Sequence, residues 1–364
     1  MHPRPSADLQ SPAVRGEICA MSLKHLVLVA LSMSSIGCVM VSEDIGRLRR
    51  GDATSRVVRL EEPWRADAVE RECGAAKASN ETLYLWLDLG RSPHLAALHP
   101  EWIGGTGSHE DWRVAFPQAP KAGPGERVGA YPWTPIWYRA VLEHRIAEIT
   151  TLLEPHASTI AGVFLNQVQG IPSACGCGND QCRWTVDYRM PGGLEKVDGA
   201  PTALLVSALK KRLPSIEWIP VWVTECTEHD QPGKDSTGYC GDVHCFNGLC
   251  WKESSKEIGA LSDTTTTVAL LSSPRFFKRD LPRYGDGGWL AESLRELGEI
   301  PPRNGTKGIE AGRVIAVLDG EGLSGPQRSD LERKARALGV GGTIVLDELP
   351  AEDWEPRLIP AVAR

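Results

Sequence analysis

Acidic side chains stand at the ends of four apolar runs, and that placement is the first sign of chemistry. Asp88 closes Leu83-Tyr84-Leu85-Trp86-Leu87, and Glu225 follows Ile219-Pro220-Val221-Trp222-Val223-Thr224. Asp319 closes Val314-Ile315-Ala316-Val317-Leu318 with Glu321 two residues on, and Asp347 follows Thr343-Ile344-Val345-Leu346. A fifth run, Gly162-Val163-Phe164-Leu165, ends in Asn166 and Gln167. Two carboxylates facing one ligand can divide the work of glycoside hydrolysis: one protonates the leaving oxygen while the other attacks or activates water. A separation of about 5 Å gives retention, and roughly 6.5–9.5 Å gives inversion. Glu225 with Asp319 or Glu321 is the pair expected to work. A single acid at such a position often does no more than cap the next helix. Four together support a site.

Aromatic usage points to the same class of ligand. Twelve Trp against five Phe inverts the ratio of an ordinary core. Sugar rings present apolar C–H faces that stack on flat aromatic surfaces, and the indole N–H still finds an acceptor. Trp102, Trp112, Trp133 and Trp137 fall in a loop-rich stretch with His99, Glu101, His109 and Asp111, and Trp184 and Trp251 flank cysteine-rich loops. Trp86, Trp218 and Trp222 lie inside apolar runs and read as structural. The expected carbohydrate-binding set is Asp88, His99, Glu101, Trp102, His109, Trp112, Asn166, Gln167, Trp184 and Asp347. The competing reading makes most of these tryptophans packing anchors.

Eight cysteines follow residue 38: Cys73, Cys175, Cys177, Cys182, Cys226, Cys240, Cys245 and Cys250. An even number in an oxidising compartment reads first as disulfides, with connectivity that spacing does not reveal. Thiolate ligation of zinc or an iron–sulfur cluster is the alternative, although the paired C-x2-C spacing that marks zinc sites is missing. No cofactor is expected, and a structural metal stays as the rival to disulfides at these loops. His229 and His244, and the basic run Arg275, Lys278 and Arg279, read as solvated loop residues. No serine-nucleophile motif and no phosphate-binding glycine loop occurs.

The elements that must position these groups alternate. Strands are expected at 83–89, 160–166, 217–224, 266–272, 313–319 and 343–346, with a weaker one at 128–133, because each is a nearly continuous apolar or β-branched run. Helices are expected at 138–153, 203–213, 289–297 and 329–338 from apolar residues at helical spacing, with Gly298 and Gly339 as C-caps. Strand then helix, repeated over roughly 300 residues, predicts an α/β fold, a (β/α)8 TIM-like barrel with long, cysteine-rich βα loops, since eight such units need about 250 residues. Residues 1–38 read as an N-terminal extension and signal peptide, 39–62 as a linker, and 63–364 as one barrel domain.

His99-Pro100-Glu101-Trp102, the run ending Phe164-Leu165-Asn166 and the acids at late strand ends resemble bacterial secreted TIM-barrel glycoside hydrolase-like proteins of an uncharacterised family. The resemblance covers the architecture of 83–348 and implies action on, or binding of, glycan. It also implies Asn-Glu at the end of the fourth strand, with the glutamate as acid/base. This chain carries Asn166-Gln167 there, and an amide transfers no proton in that role. Either Glu225 takes the role or the barrel binds polysaccharide without catalysis. A metal- or redox-dependent surface protein built on the cysteine loops is the third reading.

The 364 residues are 41% hydrophobic and 24% charged, with a formal net charge of −7 and no basic block. That excludes nucleic acid as the main partner, since phosphate binding needs a concentrated cationic face. From Met21, Lys24 and His25 precede Leu26-Val27-Leu28-Val29-Ala30-Leu31 and the small residues Ser34, Ser35 and Gly37, the order of a secretion signal. The apolar run is shorter than the roughly 20 residues that span a bilayer. Ser35-Ile36-Gly37-Cys38 resembles a lipobox, so the expected product is exported: periplasmic, extracellular, or an outer-membrane lipoprotein with a lipid anchor at Cys38.

Overall fold

The structure, a computed structural model, describes residues 42–102, 134–168, 194–225, 245–246, 251–262, 264, 267–273, 281–299 and 308–347. In chain order its elements are β1 (Ser42–Arg50), β2 (Ala53–Leu60), α1 (Ala66–Ser79), β3 (Leu83–Asp88), α2 (Pro93–Leu98), α3 (Arg139–Leu153), β4 (Ile160–Asn166) and α4 (Pro201–Arg212). There follow β5 (Glu217–Glu225), β6 (Cys245–Phe246), α5 (Trp251–Ser262), β7 (Val268–Ser272), α6 (Leu281–Glu299), β8 (Val314–Asp319), α7 (Gly325–Ala337) and β9 (Gly342–Leu346). The six clear strands expected from the apolar runs are all present. Positions 128–133 lie outside the described residues.

The ring order is β4-β3-β2-β1-β9-β8-β7-β5, closed by pairing of β5 with β4, and β6 adds a short antiparallel partner to β5. This overturns the expected (β/α)8 TIM-like barrel. It is a closed, mixed eight-stranded barrel in which β1 runs antiparallel to both β2 and β9. Among the described residues seven helices, mostly short, accompany it. The cause is the hairpin at 42–60, a stretch expected to be linker. Arg50 pairs with Ala53, leaving Gly51-Asp52 as a two-residue connection with Gly51 at φ +55. So short a link can join only antiparallel strands, because a parallel crossover needs a dozen or more residues.

Both faces of the sheet are buried. The outward face packs under the helices through Val163, Leu165, Trp218, Leu270, Val314 and neighbours. The lumen is filled by Trp86, Phe164, Ile219, Val221, Ile315, Val317, Ile344 and Leu346, so it is core and not channel. Trp86 stacks on Phe164 at 5.4 Å between ring centroids. Cys73 on α1 packs in the outer layer as a buried thiol with no disulfide partner among the described residues, and burial pushes that thiol up from its ordinary pKa. Cys175, Cys177, Cys182, Cys226, Cys240 and Cys250 lie outside the described residues, and Cys245 is described only as backbone. No described helix is long and apolar enough to cross a membrane.

A polar bolt closes the barrel floor. Arg50 at the end of β1 reaches Glu217 at the start of β5, on the opposite side of the ring, through two hydrogen bonds of 2.9 and 3.0 Å. The Tyr84 hydroxyl adds a third donor to Glu217 at 3.3 Å. Room for the Tyr84 ring comes from Gly162: a Cβ there would lie 2.5 Å from a ring carbon and 3.0 Å from the Glu217 carbonyl. Gly162→Ala is therefore expected to lower stability by about 1–3 kcal/mol, the usual cost of overpacking. Thermal melts check this, and Tyr84→Leu should recover part of the loss in the double variant. Equal melting of Gly162→Ala and wild type would show that the ring is not confined.

Candidate functional site

The mouth at the C-terminal ends of the parallel strands gathers the polar lumen-facing residues. Asp88 on β3 and Asp319 on β8 stand on opposite sides of the ring and are each largely buried. On the Asp88 side, Arg59 of β2 donates to Oδ2 from Nε at 2.8 Å and lies within 2.6 Å through Nη2. Oδ1 accepts from Trp86 Nε1 at 3.0 Å and from Asn166 Nδ2 at 2.8 Å. Burial alone would lower the Arg59 pKa, but Asp88, with Glu61 and Glu43, carries it above the ordinary arginine range. Oδ1 thus accepts from two donors, and Oδ2 is held by the Arg59 guanidinium. Asp88 is held as an acceptor by side chains from three neighbouring strands.

Asn166 is fully buried, and its amide nitrogen faces the Asp88 carboxylate, which fixes the amide orientation. Its Oδ1 is a buried acceptor with no hydrogen-bond donor. An unmatched buried acceptor costs about 1–3 kcal/mol, a cost that a ligand hydroxyl would offset. Gln167 plays another part. It sits at φ +60, a left-handed conformation uncommon outside glycine, and its Oε1 accepts from Arg91 N at 2.8 Å. The amide ties the end of β4 to the loop after β3.

On the far side, Asp319 accepts from Ser273 Oγ at 2.8 Å and from the Glu321 backbone N–H at 3.1 Å. These two donors orient the carboxylate at the lumen end of β8. The pairings Val223↔Leu271 and Leu271↔Val317 set β5, β7 and β8 in register just before Glu225, Ser273 and Asp319, which follow at the ends of these three strands. Glu225 is described only as backbone, paired with Cys245. The Glu321 side chain is exposed, and exposed Asp347 is engaged by Arg328.

The predicted aromatic platform is differently built. Trp102 is 9% exposed, and the His99 ring covers it at 3.7 Å between centroids and 11° between planes. His99 Nδ1 also lies 3.2 Å from Glu101, and His144 of α3 meets Trp102 edge-on at 5.5 Å. Trp102 is thus a packing partner of histidines and not an open stacking face. His109, Trp112 and Trp184 lie outside the described residues. Burial first, then Arg145, His99 and His94, hold the His144 pKa below its ordinary value of 6.5 against the pull of Glu148. The folded state therefore prefers the neutral ring. Its stabilising contribution is present above the unfolded pKa and is lost as pH falls through the folded one. Unfolding midpoints should drop on acidification below about pH 6.5, and His144→Gln should flatten that slope; parallel pH profiles would contradict the assignment.

Sequence reasoning missed Arg59 and Ser273. Arg59 sat in the stretch taken for linker, although Val57, Arg59 and the hairpin signal Gly51-Asp52 are the cues that place it on a strand. Ser273 lies two residues past the apolar run Val268–Leu271, as Glu225 lies two past Val223. Among the described residues no group of three His, Cys, Asp or Glu is arranged to hold a metal ion. Comparison of the chain with family profiles, curated proteins and solved structures yields no match.

Proposed function

We propose that this chain is an exported, carbohydrate-active barrel that binds glycan across the mouth and cleaves it with Asp319 and Glu225 as the working carboxylates. The observation that carries this reading is the division of labour between opposite strands. Asp88 is locked by Arg59, Trp86 and Asn166 as an acceptor, while Asp319 is oriented by Ser273, which follows β7, the strand between β8 and the one that ends in Glu225. The unmatched Asn166 Oδ1 supplies a place for a sugar hydroxyl to donate. Because the lumen is filled with apolar side chains, the ligand lies over the rim and does not thread the barrel.

A second reading, a polysaccharide-binding barrel without turnover, is favoured by the end of β4, where Gln167 is committed to the Arg91 backbone and offers no transferable proton. Release of reducing ends from a broad polysaccharide panel separates the two. Turnover by wild type that is lost in Asp319→Asn or Glu225→Gln supports the hydrolase. Glycan retention without release moves the protein to the binding class.

A further inference from the structure

A cavity is lined by none of the residues described at the mouth. The segment before α4 runs against the segment before α3, with Val197 N donating to Trp137 O at 2.9 Å and Arg139 N to Glu195 O at 3.0 Å. Arg139 and Glu195 clamp the same ribbon through a 2.7 Å ion pair. Beneath it, a cavity of about 240 Å³ is lined by Trp137, Lys196, Asp198, Pro201 and Glu257, among others. Glu257, from α5, is 2% exposed and accepts from Thr202 N, in the first turn of α4, at 3.2 Å. Gly199, at φ +98, allows the chain to turn over the cavity, a conformation that a residue with a Cβ adopts only under strain.

Three properties define what fits. The volume is below the roughly 300–1,000 Å³ of sites for drug-sized ligands, which limits the occupant to about one ring. The lining offers an indole surface, and Trp137 Nε1 is a buried donor with no acceptor. A buried donor left unmatched costs about 1–3 kcal/mol, and a ligand oxygen would offset it. The charged lining is one lysine against two carboxylates, so an anionic ligand is disfavoured. Lys196 and Asp198, both exposed at the edge, form a donor and an acceptor suited to adjacent hydroxyls.

We infer that this cavity is a binding site for a single neutral pyranose ring, separate from the barrel mouth. The ring's apolar face lies on Trp137, a ring or hydroxyl oxygen accepts from Nε1, and Lys196 and Asp198 hold a vicinal pair of hydroxyls. The site rests on the reading of the protein as glycan-active only for its biological use, since its chemistry stands on its own lining.

The test is ligand-observed NMR with methyl α-glucopyranoside, methyl α-mannopyranoside, methyl β-galactopyranoside and N-acetylglucosamine, each titrated to 50 mM against the full chain. At least one should saturate in the millimolar range, with affinity reduced tenfold or more in Trp137→Ala. The exposed pair Lys196→Ala and Asp198→Ala, which carries little risk to folding, should together weaken binding at least fivefold. No saturation by any probe would overturn the proposal. So would binding that survives both Trp137→Ala and the double variant, because that places the sugar away from this cavity.

Discussion

Replacing Arg145 with methionine is expected to destabilise the fold by about 3–5 kcal/mol, the usual loss when one partner of a buried pair is removed and the other charge stays behind. Arg145 has no exposed side-chain surface. Its Nη2 lies 2.7 Å from Glu62 Oε1 and donates to the Leu89 carbonyl at 2.8 Å, and Nη1 donates to Glu148 at 2.8 Å. Its guanidinium carbon stands 4.6 Å from the centre of the Trp64 ring. One side chain thereby joins α3 to the residues that follow β2 and β3. Leu89 is the neighbour of Asp88, so the same bolt fixes the end of the strand that carries the mouth acceptor. Methionine fills similar volume but strands the Glu62 carboxylate, which burial already pushes up from its ordinary pKa. Lysine keeps the charge without the fork and should fall between the two. Denaturant titration measures the effect, and a loss under about 1 kcal/mol would mean that the pair contributes little.

The second large effect concerns chemistry. Asp319→Asn is expected to lower turnover by about 10²–10⁴-fold, the range that acid–base groups contribute. Asparagine keeps the shape: its amide oxygen can accept from the Glu321 N–H, and its NH2 can donate to Ser273 Oγ once that hydroxyl turns, so the fold and glycan affinity should change little. Asp88→Asn should behave differently. It removes the counter-charge of Arg59 and loses stability together with activity, because Arg59 is left partly buried without its partner. The contrast between the two aspartates separates a working carboxylate from a fixed acceptor.

The parts of the fold that could be read from the chain were the strands buried on both faces. Runs such as Val314-Ile315-Ala316-Val317-Leu318 have no polar face, and their apolar character survives any arrangement of neighbours. The hairpin at 42–60 was hidden for the opposite reason. Arg47, Arg49, Arg50, Arg56 and Arg59 are spent in ion pairs with Asp44, Glu332, Glu217, Glu72 and Asp88, so β1 and β2 look like a charged linker until their partners are in place. Missing that reversal turned a mixed barrel into an expected alternating one. At the site, Asp88, Asn166 and Asp319 were visible because a strand end is where an inward polar residue meets the rim. Their division of roles was not visible, because it depends on Arg59 and Ser273, far away in sequence. Trp102 was placed on the ligand side by tryptophan usage and its loop neighbours, whereas the histidines against it come from the end of one helix and the middle of another, distant in sequence.

The most direct test of the account is reducing-end release by the full chain from a polysaccharide panel, with Asp319→Asn measured beside wild type at matched folding. The account predicts release by wild type, a loss of at least a hundredfold in the variant, and retained glycan binding by both. Undiminished release in Asp319→Asn, or neither release nor glycan binding by wild type, would contradict it.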